Sequence, residues 1–449
     1  MGNIGKKIIL ASLIFLLTGY PCRAADLSDI PGQIAKAESL SWIDKLEEAS
    51  TTYTKVLTED PSNIKARIGL ARVTVWQGKN FSGMRMYQDI LKDAPNNTEA
   101  LIGLAYVQLW SGREDLSQRT LVRILEIDPS NPEAWKLLKQ MDASQSPYVN
   151  QFNNCYSDSN SLSFLMYGLR TGIHTSPLTS IDIIYGQQIS RNAADYLGNK
   201  IGIGFDHRFN QNIEMNTFSY KTFFTTGDFS PFTTNTWFTI KPDDLWRFDI
   251  GYDRELFDDV GSISNKIITE GYSLSSDMKP NRFLLLSLKY KRAAYSDTNM
   301  QDITSGRIEY RISNAPYTKL FYNYYYSAWT KQLNNGYFNP LSVLSQKIGI
   351  FSSFGITQWL SGEINGSIGY ENQKPLSDHP VYGLSAGLNS KLAQDWSIYA
   401  RGEYFEAKPD PNSNGYLKRS FSIGITHNFS TEDLSHLRNA SGPSRTTDQ

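Results

Sequence analysis

The chain has 449 residues, room for two or three domains, and a formal charge of −1, so no polyanion such as nucleic acid is implied as a partner. Charged residues are 20% of it and its mean hydropathy is −0.41, too polar for a bundle of membrane helices; each such helix needs about 20 consecutive apolar residues. Aromatic residues reach 13% but unevenly, since 22 of 26 tyrosines and 20 of 22 phenylalanines follow residue 146, so two compositions meet near Ser146–Pro147.

Residues 1–24 read as a secretory signal, with Lys6 and Lys7 at the charged end, Ile8 to Leu17 as the apolar core and cleavage after Ala24 in Cys22-Arg23-Ala24. A lipoprotein signal using Cys22 is the rival, but Gly19-Tyr20-Pro21 lacks its small-residue box. With Cys22 in that segment, Cys155 has no disulfide partner, and none of the five histidines stands at metal-ligand spacing. No nucleophile elbow, phosphate loop or metal motif occurs, so neither a cofactor nor an enzymatic activity is expected.

Residues 30–142 read as helical and repetitive. Pro61, Pro95 and Pro129 are 34 apart, as are Trp76 and Trp110, Gly69 and Gly103, Ala71 and Ala105, and Gly78 and Gly112. A 34-residue period with two helices per unit is the tetratricopeptide signature. Asp60-Pro61-Ser62-Asn63 and Asp128-Pro129-Ser130-Asn131 form turns between units, where proline closes one helix and opens the next. Trp76 and Trp110 are read as core residues between helices. An array of about three units suits an adaptor or scaffold that docks other proteins.

Gln140 to Pro147 is a polar linker, and from residue 147 to 429 the period becomes two. Trp246, Phe248, Ile250 and Tyr252 oppose Arg247, Asp249, Gly251 and Asp253. Gly306, Ile308, Tyr310 and Ile312 oppose Ser305, Arg307, Glu309 and Arg311. Leu360, Ile364, Ile368 and Tyr370 oppose Ser361, Glu363, Asn365 and Ser367, and a similar division runs through Trp396–Glu406, which carries Arg401 and Glu403. In Leu417–Phe429 one face is apolar apart from Arg419 and His427, and the other is polar throughout. A charged inner face and an aromatic-edged outer face predict a water-filled barrel in lipid. About 16 strands are predicted, with 14 as the alternative because Met215–Phe224 and Gly349–Gly366 alternate poorly. Short connections such as Asn210-Gln211 and Asn314-Ala315-Pro316 alternate with mostly longer ones such as Arg191–Gly198 and Thr330–Leu341. An even strand number leaves both barrel ends on the short-turn, periplasmic side, and a polar tail, 430–449, follows.

The predicted lumen carries both signs: Arg247, Lys289, Arg307, Arg311, Lys319 and Arg401 against Asp249, Asp253, Glu309, Glu363 and Glu403. Paired carboxylates would suit a glycosidase, but none is marked by an apolar pocket, and pairing across strands in a solvated lumen is the reading taken. Phe321, Tyr325 and Tyr399 also read inward, as surfaces for sugar rings or as gap-fillers. Trp237, Trp246, Trp359 and Trp396 read as interface girdles. The long loop carrying Tyr337, Phe338, Asn339 and Pro340 is the candidate to fold inward and gate the path.

With both halves together, the chain resembles the tetratricopeptide porins that export cellulose and poly-N-acetylglucosamine. Three local features carry the resemblance: Asp158-Ser159-Asn160 after the first strand, Gly336-Tyr337-Phe338-Asn339-Pro340, and the closing strand ending at Phe429. The repeats ending in Trp-Gln-Gly and Trp-Ser-Gly also resemble those fused to YaiO-type outer-membrane barrels. The repeat array is shorter than in the long polymer-export proteins, and His427 replaces an expected aromatic residue. The resemblance implies an α+β two-domain protein: a helical tetratricopeptide solenoid in the periplasm, then an antiparallel transmembrane β-barrel in outer-membrane lipid. It also implies periplasmic protein partners for the repeats, recognition of Phe429 by the barrel-assembly machinery, and a polysaccharide in the lumen. A non-transporting scaffold or receptor anchored by its barrel is the alternative.

Overall fold

A computed structural model describes residues 29–226, 228–257, 259–375, 378–407 and 416–429. The signal segment with its cleavage site, the last outer loop (409–415) and the tail 430–449 lie outside the described residues. The chain divides into two compact units between Gly103 and Leu104.

The first unit holds α1 (Ile30–Trp42), α2 (Leu46–Glu59), α3 (Ile64–Trp76), α4 (Asn80–Asp93) and the start of α5 (Thr98–Trp110). Its period has a local cause at each helix start: the Asn63 side chain accepts the Ala66 N–H at 3.0 Å, and Asn97 accepts that of Ala100 at 2.9 Å. These caps satisfy amides that a helix start leaves open. Between helices, the Tyr53 ring covers Gly69 and the Tyr87 ring covers Gly103, so a Cβ at either glycine would strike a ring. Tyr53 belongs to a core with Ala37, Leu46, Ala49, Val56, Ala66 and Val73. Burial pushes the Tyr53 and Tyr87 phenols up from their ordinary value.

In the second unit the rest of α5 meets α6 (Glu114–Ile127) and α7 (Pro132–Gln145). The Ser117 hydroxyl donates to the Ala105 carbonyl at 2.9 Å, and Leu121, Ile124 and Leu137 are fully buried. The two repeat tryptophans part company. Trp76 is half-buried against the first core, 5.2 Å from Trp42, whereas Trp110 is 53% exposed and lies along Tyr106 one turn back at 5.3 Å. The core reading therefore fails for Trp110, which ends α5 on its solvent side.

The remainder of the second unit is a closed antiparallel barrel of sixteen strands, each paired with its neighbours in sequence. They are β1 (Tyr148–Asp158), β2 (Ser163–Ser176), β3 (Thr179–Arg191), β4 (Asp195–Arg208), β5 (Ile213–Phe224), β6 (Phe232–Ile240), β7 (Trp246–Leu256) and β8 (Ile268–Met278). After them run β9 (Leu284–Tyr295), β10 (Met300–Asn314), β11 (Tyr317–Trp329), β12 (Ser342–Gly355), β13 (Leu360–Lys374), β14 (Asp378–Lys391), β15 (Trp396–Ala407) and β16 (Tyr416–Asn428). β16 closes on β1 with Tyr148 opposite Asn428 and Cys155 opposite Phe421, and the Phe429 N–H donates to the Pro147 carbonyl at 2.8 Å. Closure leaves no free strand edge. Large apolar residues such as Ile183, Ile203, Leu274, Ile308, Ile348, Ile368 and Leu384 stand exposed on the outer face. An apolar belt this extensive is the outer face of a barrel built for lipid.

The sixteen-strand reading holds, and the fourteen-strand alternative falls for a specific reason. β5 is inverted in composition: Thr217, Ser219 and Lys221 point outward, while Phe218 and Tyr220 point inward over Gly204 and Gly202 of β4. The outward hydroxyls satisfy one another, Thr217 with Thr236 at 2.6 Å and Ser219 with Thr234 at 2.9 Å. Gly349–Gly366 alternates poorly because it includes the turn between β12 and β13. Some outer loops are shorter than predicted: β3 runs to Arg191 and β4 starts at Asp195. Trp237 is also corrected. It faces inward, sharing the register of Gly251 and Asn216, because β6 puts Thr234, Thr236 and Phe238 outside.

Two outcomes follow for the repeats. Trp110→Ala is expected to cost less than about 1 kcal/mol, and Tyr87→Ala about 3–5 kcal/mol, read from urea titrations of helical ellipticity. Hydrogen bonds from Ser62 and Asn63 hold the Asp60 carboxyl below its ordinary value, and Ser130 and Asn131 do the same for Asp128. That contribution is present above the ordinary carboxylate range and is lost as pH falls through the depressed value. Asp60→Asn with Asp128→Asn should therefore flatten the decline in helical melting temperature between about pH 5 and about pH 2.

Candidate functional site: the lumen and its outer lid

Inward positions follow from the strand register, and every predicted lumen charge occupies one. Arg247 pairs with Asp249 at 3.0 Å, and Asp249 also accepts from Thr239 and from Ser275, the latter at 3.3 Å. Asp253 meets Lys291 at 2.7 Å, and Lys291 also reaches Glu255 at 3.4 Å. Glu309 is held between Arg307 and Lys319, the lysine at 2.7 Å. Glu363 and Glu403 flank Arg401 at 3.2 and 2.9 Å. The Arg311 guanidinium lies 5.4 Å over the Phe283 ring. Lys289 lines a recess of about 630 Å³ with Asp277, Arg307, Lys347 and Glu371. Of the predicted aromatic residues, Phe321 lies beneath Arg307 at 4.5 Å, and Tyr399 covers Gly424.

Glycine decides which charges meet. Glu363 on β13 and Arg401 on β15 share a row with Gly387 of β14, where a Cβ would press on the Glu363 side chain. Gly271 of β8 lies in the same way between Asp253 and Lys291. Gly172 of β2 lies between Tyr148 and Asp182, whose hydroxyl and carboxylate meet at 2.6 Å while Arg170 also binds Asp182. Ion pairs thus span next-nearest strands across a missing side chain. Sequence reasoning missed Lys291, Glu255, Arg170 and Asp182; the signal lay in inward glycines, which period-two counting treats as neutral.

At the rim opposite the short turns, the connections after β5, β7, β9 and β11 fold together into a lid. Tyr337 is only 8% exposed and stacks on Tyr295 at 4.7 Å and Phe257 at 5.7 Å. Its surroundings include the inward-facing Ala293, Trp329 and Val343. The Tyr337 hydroxyl donates to Asp297 at 2.8 Å and accepts from Asn299 at 2.9 Å. Fully buried Asn299 also donates to the Lys331 carbonyl at 3.0 Å and accepts the Lys331 N–H at 3.0 Å. Burial pushes the Asp297 carboxyl up, but hydrogen bonds from Asn335, the Asn299 N–H and Tyr337 outweigh it and hold the group below its ordinary value. Gly336 has φ +91° and packs on the backbone of Gly261, beside the short helix α8 (Val260–Ser264). Lys266 extends the assembly by donating to the Asp228 carbonyl at 3.2 Å. Of the other predicted loop residues, Pro340 is buried, Asn339 half-buried, and Phe338 exposed with its ring 6.2 Å from Trp329.

The fold is thus a helical-repeat segment ahead of a sixteen-stranded barrel of the outer-membrane type. Residues 82–141 match the Tetratricopeptide repeat model, so the chain carries tetratricopeptide repeats. No curated protein matches the sequence. Among solved structures, the barrel is similar to a "Bacterial polysaccharide outer membrane secretin", with a TM-score of 0.53 at 13% identity over 64% of this chain and 99% of that one. That likeness is one of fold. Another match is Pseudomonas aeruginosa OccK7 (OpdD), with a TM-score of 0.38 at 7% identity, covering 63% of this chain and 98% of that one.

Gly336 faces the backbone of Gly261 where an added Cβ finds no room, so the lid can be opened without touching the wall. Gly336→Val should raise the rate at which protease cuts within 257–267 and 330–341, while heat-modifiable migration of the barrel on gels is retained.

Proposed function

We propose that this protein is an outer-membrane channel that exports a polysaccharide, with the tetratricopeptide repeats in the periplasm docking synthesis or modification partners. The observation that carries the reading is the lumen wall of a closed barrel, where most charges pair with one of opposite sign and Arg311 lies over a ring instead. Such a wall has little net field for small ions and offers many weak polar contacts to a long, hydroxyl-rich chain. An even strand number puts β1 and β16 on the short-turn side, which would hang the repeats in the periplasm. Phe429 would be read by the barrel-assembly machinery, and the apolar belt would contact outer-membrane lipid. On this reading the protein performs no chemistry of its own, and the lid carrying Tyr337 gates the outer mouth.

The alternative, a scaffold or receptor with the barrel as anchor, draws on the interlocked lid. Planar-bilayer recording separates the two. The intact protein should conduct weakly, and deleting Lys331–Asn339 should raise conductance at least several-fold and reduce discrimination among solutes, with assembly unchanged. If both forms stay closed to ions, the scaffold reading replaces the channel reading.

A further inference from the structure

We propose that the lumen holds a stacking subsite for one pyranose unit of a neutral sugar chain, built on Trp237 at the wall formed by β5, β6 and β7. The inference rests on the export reading and adds to it a chemical class of cargo and a residue that recognises it. Trp237 projects inward from β6, where period-two patterning otherwise gives only Thr233, Asn235 and Thr239. An indole in a water-facing row of threonine and asparagine is out of place unless its face is used or covered. It is not fully covered. Its neighbour in register on β7 is Gly251, where the wall carries no side chain of its own and only the Ser273 hydroxyl of β8 reaches across. On the β5 side the Phe218 ring lies 6.4 Å away at an interplanar angle of 29°, widening the apolar surface. Phe218 and Tyr220 themselves lie over Gly204 and Gly202, which sets those rings against the wall. Arg170 lies over Phe218 at 4.9 Å and Lys200 over Tyr220 at 4.5 Å, whereas no cation lies over Trp237 among the described residues. Trp237, half-buried, is therefore the ring of the three left without a cation among the described residues.

Polar groups flank the ring on its own strand. Asn235, one inward position along, is exposed to the lumen and shares a recess of about 540 Å³ with Phe218, Tyr220 and Trp237. In the other direction Thr239 donates to Asp249, which pairs with Arg247 at 3.0 Å. A pyranose ring has one face of axial C–H groups and an edge of hydroxyls. The C–H face suits the negative face of an indole, and the hydroxyl edge suits an amide and a fixed guanidinium–carboxylate pair, each offering both donors and acceptors. Asp249 compensates Arg247, and the charges that line the recess itself are of both signs, Lys200 and Arg254 with Glu255, Arg254 pairing with Glu270 at 3.4 Å, so the subsite favours an uncharged sugar over an acidic one.

The test uses the full chain in lipid nanodiscs, with Lys331–Asn339 deleted so that the lid does not control access. Cellohexaose is the neutral probe, trigalacturonate the acidic one, and calorimetry the readout. Cellohexaose should bind, and trigalacturonate at least tenfold more weakly. Trp237→Ala should weaken cellohexaose binding at least tenfold, while Trp237→Phe recovers most of it. Heat-modifiable migration confirms that each variant is folded. No cellohexaose binding by the folded protein, equal binding by Trp237→Ala, or tighter binding of trigalacturonate each overturns the subsite. Failure of the export reading is seen separately, as a lid-deleted barrel that passes no ions. Loss of the subsite alone leaves that conductance intact.

Discussion

A closed barrel gives its inward side chains a finite space, and this one is made habitable by glycine. Gly172, Gly271 and Gly387 each remove a side chain from the middle strand of three, and each time an acidic group meets its partner across the gap. Without the gap, Glu363 and Arg401 would be held apart by whatever stood at position 387. Both side chains remain partly exposed to the lumen, so the pair is screened and contributes modestly, fixing where the charges stand more than how stable the wall is. Gly202, Gly204 and Gly424 serve the same end for aromatic rings, which lie flat where they would otherwise crowd the lumen. The wall's chemistry thus depends on absent side chains as much as on present ones.

How much of this was legible follows from the range of each interaction. The repeats were legible because their causes are local: an asparagine cap and a tyrosine-over-glycine contact recur every 34 residues. Strand existence and the inner face of β7, β10, β13 and β15 were legible because pleating alone assigns residues to faces. β5 left the strand count open between sixteen and fourteen because its polar residues pair with each other on the outside and its aromatic residues cover β4 glycines on the inside. Trp237 could have been placed, since it alternates with Phe238 and falls among threonines. Trp110 could not, because an indole one turn from Tyr106 fits the same helical pattern whether its outer face meets protein or water.

The lid shows the other limit. Its parts come from the connections after β5, β7, β9 and β11, and no periodicity links them. Its centre is Tyr337 over Tyr295 and Phe257, an aromatic stack of the kind that adds about 0.5–1.5 kcal/mol per pair beyond simple burial. Its fastening is Asn299, whose side chain satisfies three backbone groups of its own and a neighbouring loop, the Thr330 hydroxyl and one phenol at once. Its fit relies on Gly336 at positive φ against Gly261, a place where a side chain is excluded twice, by conformation and by space. Sequence inspection could single out the loop by length, but not the buried asparagine that fixes it.

Wall and lid differ in a way that bears on how a polymer would pass. On the export reading, most of the wall is polar with its charges paired, so a sliding chain exchanges one set of weak contacts for another, and Trp237 is the one position proposed to hold a sugar unit more firmly. The lid is apolar at its centre and tied through backbone hydrogen bonds, so it is either assembled or not; partial displacement of Tyr337 breaks its stacking and both of its hydroxyl contacts together. A barrier of that kind suits a cargo that arrives as a continuous strand with force behind it better than one that diffuses through singly. A small solute would meet the closed lid repeatedly and gain nothing from each encounter. If the export reading holds, a polymer threaded along the wall would shift the lid's population only through its contacts with the open state.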